Sequence, residues 1–130
     1  MTHRSAAQRA FDISHEAAQI GFDWPDPRDV LPKLREEVDE IERALNNNDR
    51  KNLVEEVGDL FFALVNFNRK AHIESDSAFH AGVDKFERRY RRLETLIAAS
   101  GRDIRSLSPQ ELEDFWALVK KEECHARASG

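Results

Sequence analysis

From Phe79 to Ile97, apolar side chains fall at Phe79, Val83, Phe86, Tyr90, Leu93 and Ile97, in alternating steps of four and three residues. A strand puts every second residue on one face, so this spacing gathers onto a single face only in a helix. Similar spacing recurs in four other stretches, and no stretch alternates at period two, which predicts an all-α fold, a helical bundle of about five helices. Glycine and proline number only five and four in 130 residues, too few for a turn-rich sandwich or barrel.

The breaks between these stretches carry their own signals. Helix one is expected over residues 5–20, on Ala7, Ala10, Phe11, Ala17, Ala18 and Ile20, ending near Gly21. Pro25 and Pro27 then interrupt, and Asp26-Pro27 opens helix two, with Asp29 as another cap candidate and an apolar stripe of Val30, Leu34, Val38, Ile41 and Leu45. Asn46 to Asp49 reads as a turn, with Asp49 capping helix three. Between Val57 and Phe67 the only charge is Asp59, so helix three is expected to be the buried one. Ser75 is expected to cap helix four. Ser108-Pro109-Gln110-Glu111 reads as a capping box opening helix five, whose apolar face is Leu112, Phe115, Trp116 and Val119.

The length predicts a single domain over 1–125, with 126–130 as a frayed tail. Apolar runs fall far short of the ~20 residues of a membrane span, and no basic-then-apolar leader opens the chain, so a cytoplasmic protein without a membrane role is expected. One cysteine, Cys124, excludes an internal disulfide. A net charge of −5 argues against a nucleic-acid-binding role.

The placement of charge says more than its sum. Helix two carries Glu36-Glu37-Val38-Asp39-Glu40, which brings Glu36 or Glu37 onto the face of Glu40. Alone this is what a solvated face looks like, with Lys33 and Arg43 in pairing positions. Helix three adds Glu56 and Asp59, three apart and without a basic residue at helical pairing distance. Carboxylates in an otherwise apolar helix need a counter-charge from elsewhere in the fold, either an arginine of helix four or a cation. Gly58 between them suggests close approach of a neighbouring helix or ligand.

Antiparallel packing of helices two and three would set Glu37, Glu40, Glu56 and Asp59 around one space. A hard divalent cation relieves their repulsion, and an all-oxygen ligand set selects Mg²⁺, with Mn²⁺ as a substitute. Helix four shows the opposite pattern: Lys85, Arg89 and Arg92 form a stripe with no acid three or four residues away, which reads as a phosphate grip.

The acidic pairs Glu36-Glu37-x-x-Glu40 and Glu56-x-x-Asp59 resemble the signature of the MazG nucleotide pyrophosphohydrolases. Gly-Phe-Asp-Trp-Pro at 21–25, the run from Glu55 to Asn66, Lys-Phe-Glu-Arg-Arg-Tyr at 85–90 and Phe-Trp-Ala-Leu-Val-Lys at 115–120 resemble the C-terminal domain of two-domain MazG proteins, over roughly residues 11–120. The resemblance implies an all-α fold and a homo-oligomer, dimer or tetramer. It implies Mg²⁺ on Glu37, Glu40, Glu56 and Asp59, triphosphate contacts from Lys85 and Arg89, and nucleotide contacts from Trp116 and Lys120. Lys33, as a substrate contact, and Glu36 lie in the same family segment. The chain departs from the pattern in its single-domain length and in Asn52, where a basic residue is expected.

The activity so implied is hydrolysis of ribo- or deoxyribonucleoside triphosphates between the α and β phosphates, giving monophosphate and pyrophosphate, as in nucleotide-pool sanitising. Glu36 or Glu55 would orient or deprotonate the attacking water, and the sequence does not choose between them. The alternative is a catalytically idle helical module that binds a nucleotide or a protein partner in a regulatory role. Four mutually repelling carboxylates speak against idleness. Trp116 on an apolar helix face is core on spacing alone and a nucleotide contact under the resemblance, and Trp24 walls a base pocket or pins its loop. His15, His72 and His80 lack ligand spacing and are expected near the surface.

Overall fold

The computed structural model describes residues 3–129, with side chains as far as Arg127. Five α-helices follow in order: α1 (Ala6–Gln19), α2 (Leu31–Asn46), α3 (Arg50–Lys70), α4 (Ser75–Ala99) and α5 (Pro109–Ser129). One 3₁₀ turn, Pro27–Val30, leads into α2, and another, Ile104–Ser106, precedes α5. No strand occurs among the described residues, so the all-α expectation holds. No helix is long and apolar enough to cross a membrane among those residues. α5 continues as helix through 126–129, and Gly130, the end of the expected frayed tail, lies outside the described residues.

Local chemistry explains the helix ends. The Ser5 hydroxyl accepts from Gln8 N–H at the start of α1, and the Asp49 carboxylate accepts from Asn52 N–H at the start of α3. Ser108 and Glu111 form the expected capping box, each side chain bonded to the other's backbone N–H at 3.1 Å. The cap of α4 is not Ser75, which is already helical, but Glu74, whose carboxylate accepts from Ser77 N–H. Asp26 caps the 3₁₀ turn rather than α2 itself, accepting from Arg28 N–H.

α1, α2 and α3 close in the same way. In each, a residue of left-handed backbone follows the C-cap, and paired reverse hydrogen bonds satisfy the last carbonyls. Gly21 takes this position after α1 (φ 90°), Asn48 after α2 (φ 52°) and His72 after α3 (φ 59°). The Asn48 closure makes the α2–α3 connection short enough for the two helices to pack as an antiparallel hairpin.

The chain divides into two compact units, Met1–Phe79 and His80–Gly130. In the first, α2 and α3 pair, α1 lies against α3, and the 3₁₀ turn packs on both helices of the pair. Val30, Ala44, Ala63 and Val65 are its buried apolar residues. In the second, Leu93 and Ile97 of α4 pack with Leu107 and Val119, and Tyr90, Leu112, Phe115 and Trp116 close around them.

Two expectations about packing are corrected. The buried face of α2 is not centred on Val38 and Leu45, which are exposed, but passes through Glu37 and Ala44. Leu34 and Ile41 stay half-buried, so the helix is turned by less than one residue from its most apolar orientation, and a carboxylate occupies the packed face. Nor is α3 buried all round: Val57, Phe61, Phe62 and Leu64 are exposed, with Phe61 at 65%. On α4, Phe79, Val83 and Phe86 are exposed, and after the half-buried first turn every residue from 77 to 88 is exposed until Arg89 and Tyr90.

Candidate metal centre

Rotation of α2 carries Glu37 into the interface with α3, where it is 2% exposed. One turn earlier, Lys33 reaches its Oε1 at 3.0 Å and lies 3.6 Å from Glu36 Oε2. Across the hairpin stand Glu56 and Asp59. One carboxylate oxygen from each of Glu37, Glu56 and Asp59 can be chosen so that all three lie within 4.8 Å of one another. Glu40, one turn on from Glu37, is within hydrogen-bonding reach of Glu56, and Arg43 approaches its outer oxygen at 4.0 Å. The four carboxylates predicted from sequence are therefore brought together by the first unit alone.

The electrostatics of the group are strained. Glu37 Oε2 and Glu56 Oε2 are buried without a hydrogen-bond partner among the described residues. Glu40 and Glu37, and then burial, push the Glu56 carboxyl up to about 8, so the metal-free cluster keeps a proton there at neutral pH. Burial also acts to raise Glu37, but the Lys33 ammonium and its hydrogen-bonding neighbours outweigh it and hold the acid below its usual range. Lys33 is raised in turn by Glu37. Two orphaned buried oxygens facing an all-carboxylate group are what a divalent cation would satisfy, so the residues present fit a hard metal ion.

Nothing among the described residues lies within 4 Å of where a Cβ on Gly58 would stand, so the close approach of a neighbouring helix expected there is not found. Glu36 and Glu55 are exposed beside the cluster.

In the second unit, the two arginines of the stripe that sequence left unpaired are paired. Arg89 bonds Glu123, and Arg92 is bidentate to Glu122, both acids on α5. Their spacing from α4 in sequence hid these partners, which only packing of α5 along α4 supplies. Lys85 and Lys120 are exposed. Trp116 packs on the unit's core, its ring centroid 5.4 Å from that of Phe86.

A second buried polar group had no signal in the helical spacing. Arg69 near the end of α3 bonds Asp23 through both terminal nitrogens, Asn66 through one of them, and Ser14 of α1 through Nε, while Lys70 also reaches Asp23. Asp23 belongs to the Gly-Phe-Asp-Trp-Pro segment, and this network fastens that segment to α3. Arg69, together with Lys70, holds the Asp23 carboxyl far below the usual carboxylate range.

Helices without strands among the described residues, and a carboxylate cluster built across a helix hairpin around the buried Glu37, define an all-α protein equipped to hold a metal ion. Residues 26–93 match the MazG nucleotide pyrophosphohydrolase domain. The chain belongs to that family. It is 37% identical over 120 residues to the nucleoside triphosphate pyrophosphohydrolase of Escherichia coli K12, covering 91% of this chain and 46% of that protein. It is also 36% identical over 115 residues to the nucleoside triphosphate pyrophosphohydrolase/pyrophosphatase MazG of Thermotoga maritima, covering 88% of this chain and 44% of that protein. The chain thus spans a little under half the length of these relatives.

Proposed function

We propose that this chain is a Mg²⁺-dependent nucleoside triphosphate pyrophosphohydrolase, cleaving between the α and β phosphates to give monophosphate and pyrophosphate. The observation that carries the reading is the cluster of Glu37, Glu56 and Asp59, with two buried oxygens that lack a partner among the described residues, in a member of the MazG family. Glu37, Glu40, Glu56 and Asp59 would hold the ion, which when bound supplies charge neutralisation at the phosphates and a more acidic water. Mn²⁺ fits the same oxygen set.

The chain's own groups divide the remaining work. Lys33 keeps Glu37 ionised and ready to ligate, through their 3.0 Å contact. Lys85 and Arg89 bind phosphate oxygens, and Trp116 and Lys120 hold the nucleotide. Glu36 and Glu55, exposed next to the ligands, are the two candidates for holding the proton of the attacking water. The family match at 26–93 runs across the boundary between the compact units, which supports treating 1–125 as one functional domain. The exposed apolar faces of α3 and α4 support a homo-oligomer, dimer or tetramer, in a protein expected to work in the cytoplasm.

Phosphorus NMR of products from a panel of ribo- and deoxyribonucleoside triphosphates with Mg²⁺ tests the reading. Monophosphate with pyrophosphate, lost in a Glu40→Gln, Asp59→Asn variant, is the expected result. Diphosphate with orthophosphate, or no turnover of any triphosphate, would overturn it.

A further inference from the structure

Arg89 is gripped from one side only. Its Nε and Nη2 both reach Oε2 of Glu123 at 2.8 Å, and Nη1 has no hydrogen-bond partner among the described residues. A guanidinium carries parallel N–H pairs on two edges, so an acid on the Nε edge fixes its plane and leaves the Nη1–Nη2 edge without an acid of its own.

Burial sets this pair apart from its neighbours. The side chains of Arg89 and Glu123 are 20% and 25% exposed, whereas those of Arg92 and Glu122, one turn further along α4, are 47% and 45% exposed. Surface pairs of the latter kind contribute little. The partly buried pair holds a long side chain that would otherwise have to be ordered on binding an anion.

Helical spacing places the pair within a larger group. Trp116, Lys120 and Glu123 follow one another on α5 at steps of four and three, and Lys85 and Arg89 are one turn apart on α4. Contacts across the two helices join these rows, Phe86 to Trp116 and Arg89 to Glu123.

We propose that Glu123 is a positioning residue for phosphate binding: it orients Arg89 through the Nε edge so that the Nη1–Nη2 edge meets the triphosphate. This rests on the reading of Arg89 as a phosphate contact. A carboxylate acting as a competitor for phosphate would cover the Nη1–Nη2 edge, and Glu123 does not.

The test compares wild type, Glu123→Gln, Arg89→Ala and the double variant, using the triphosphate turned over fastest in the panel. Glu123→Gln is expected to raise KM about tenfold with kcat within about twofold, because a phosphate grip serves ground and transition states alike. In the Arg89→Ala background the same change is expected to do nothing further. Tripolyphosphate binding to the metal-free protein, measured by calorimetry, is expected to weaken by a similar factor, with Glu123→Asp recovering part of the loss. An unchanged or lower KM in Glu123→Gln, or a fall in kcat together with the thermal midpoint, would overturn the positioning role. An Arg89→Ala variant with wild-type KM would instead overturn the phosphate-contact reading beneath it.

Discussion

Asp23 holds Arg69 by both carboxylate oxygens, at 2.6 and 3.2 Å, and so ties the segment after α1 to the last turn of α3, 46 residues away. Arg69 is 9% exposed and Asp23 17%, and the same guanidinium reaches the buried Ser14 hydroxyl. This is a partly desolvated network, and removing Asp23 leaves the Arg69 and Lys70 charges without the acid they share.

Asp23→Asn is therefore expected to destabilise the protein by about 2 kcal/mol, read as a lower midpoint in denaturant. The pH dependence has a definite sign. Asp23 is depressed in the folded state, so its stabilisation is complete above its ordinary value of 3.8 and is lost as pH falls below it. Thermal midpoints between pH 6 and pH 2 should fall more steeply for wild type than for Asp23→Asn.

Glu56 has the opposite sign. Its carboxyl is raised from 4.5 to about 8 by Glu40 and Glu37, so the folded metal-free protein binds a proton that the unfolded chain releases. Stability of the metal-free protein should decline as pH rises through that window, and Glu56→Gln should flatten the decline. Below pH 8, Mg²⁺ binding should release a proton, visible in calorimetry as a dependence of the heat on buffer ionisation enthalpy.

Mg²⁺ should also raise the thermal midpoint, since an ion bound only by the folded state stabilises it by about 2.7 kcal/mol at a hundred times its Kd. Removing two of the proposed ligands, as in Glu56→Gln with Asp59→Asn, should abolish that shift. It should also lower turnover by at least about a hundredfold, because metal charge stabilisation contributes several kcal/mol. A midpoint unmoved by Mg²⁺ in the wild type would point to the idle binding module instead.

Val54, Val57, Phe61 and Leu64, three or four residues apart on α3, leave an exposed apolar stripe of the kind that a partner chain covers. Sedimentation velocity should find an assembly of two or more chains. Phe61→Asp should shift it toward smaller species, while the fold, read by circular dichroism, is retained.

Much of the site was legible because its logic is one-dimensional. Glu37 and Glu40 are one turn apart, as are Glu56 and Asp59, and the Asn46–Asp49 turn makes the two helices antiparallel neighbours. Four acids on one hairpin follow from those facts alone. The capping box at Ser108 and Glu111 was legible for the same reason, being a contact between residues three apart.

Contacts between distant segments were not legible. The Arg89 and Arg92 stripe appeared unpaired because Glu123 and Glu122 lie on another helix, and helical periodicity does not fix which faces of two helices meet. The Asp23 and Arg69 network was hidden for the same reason. Burial of Glu37 in place of Val38 ran against hydrophobic patterning, because packing Ala44 and Glu37 against α3 determines the rotation of α2.

The sequence by itself determined the helices, most of their ends, the family and the acidic quartet on one hairpin, all properties of neighbours within a few residues or of motif order. Tertiary structure alone decided which carboxylate is buried, which one keeps a proton and which arginine is held by an acid. Those depend on distance and desolvation between segments brought together by packing, and neither quantity is encoded in local spacing.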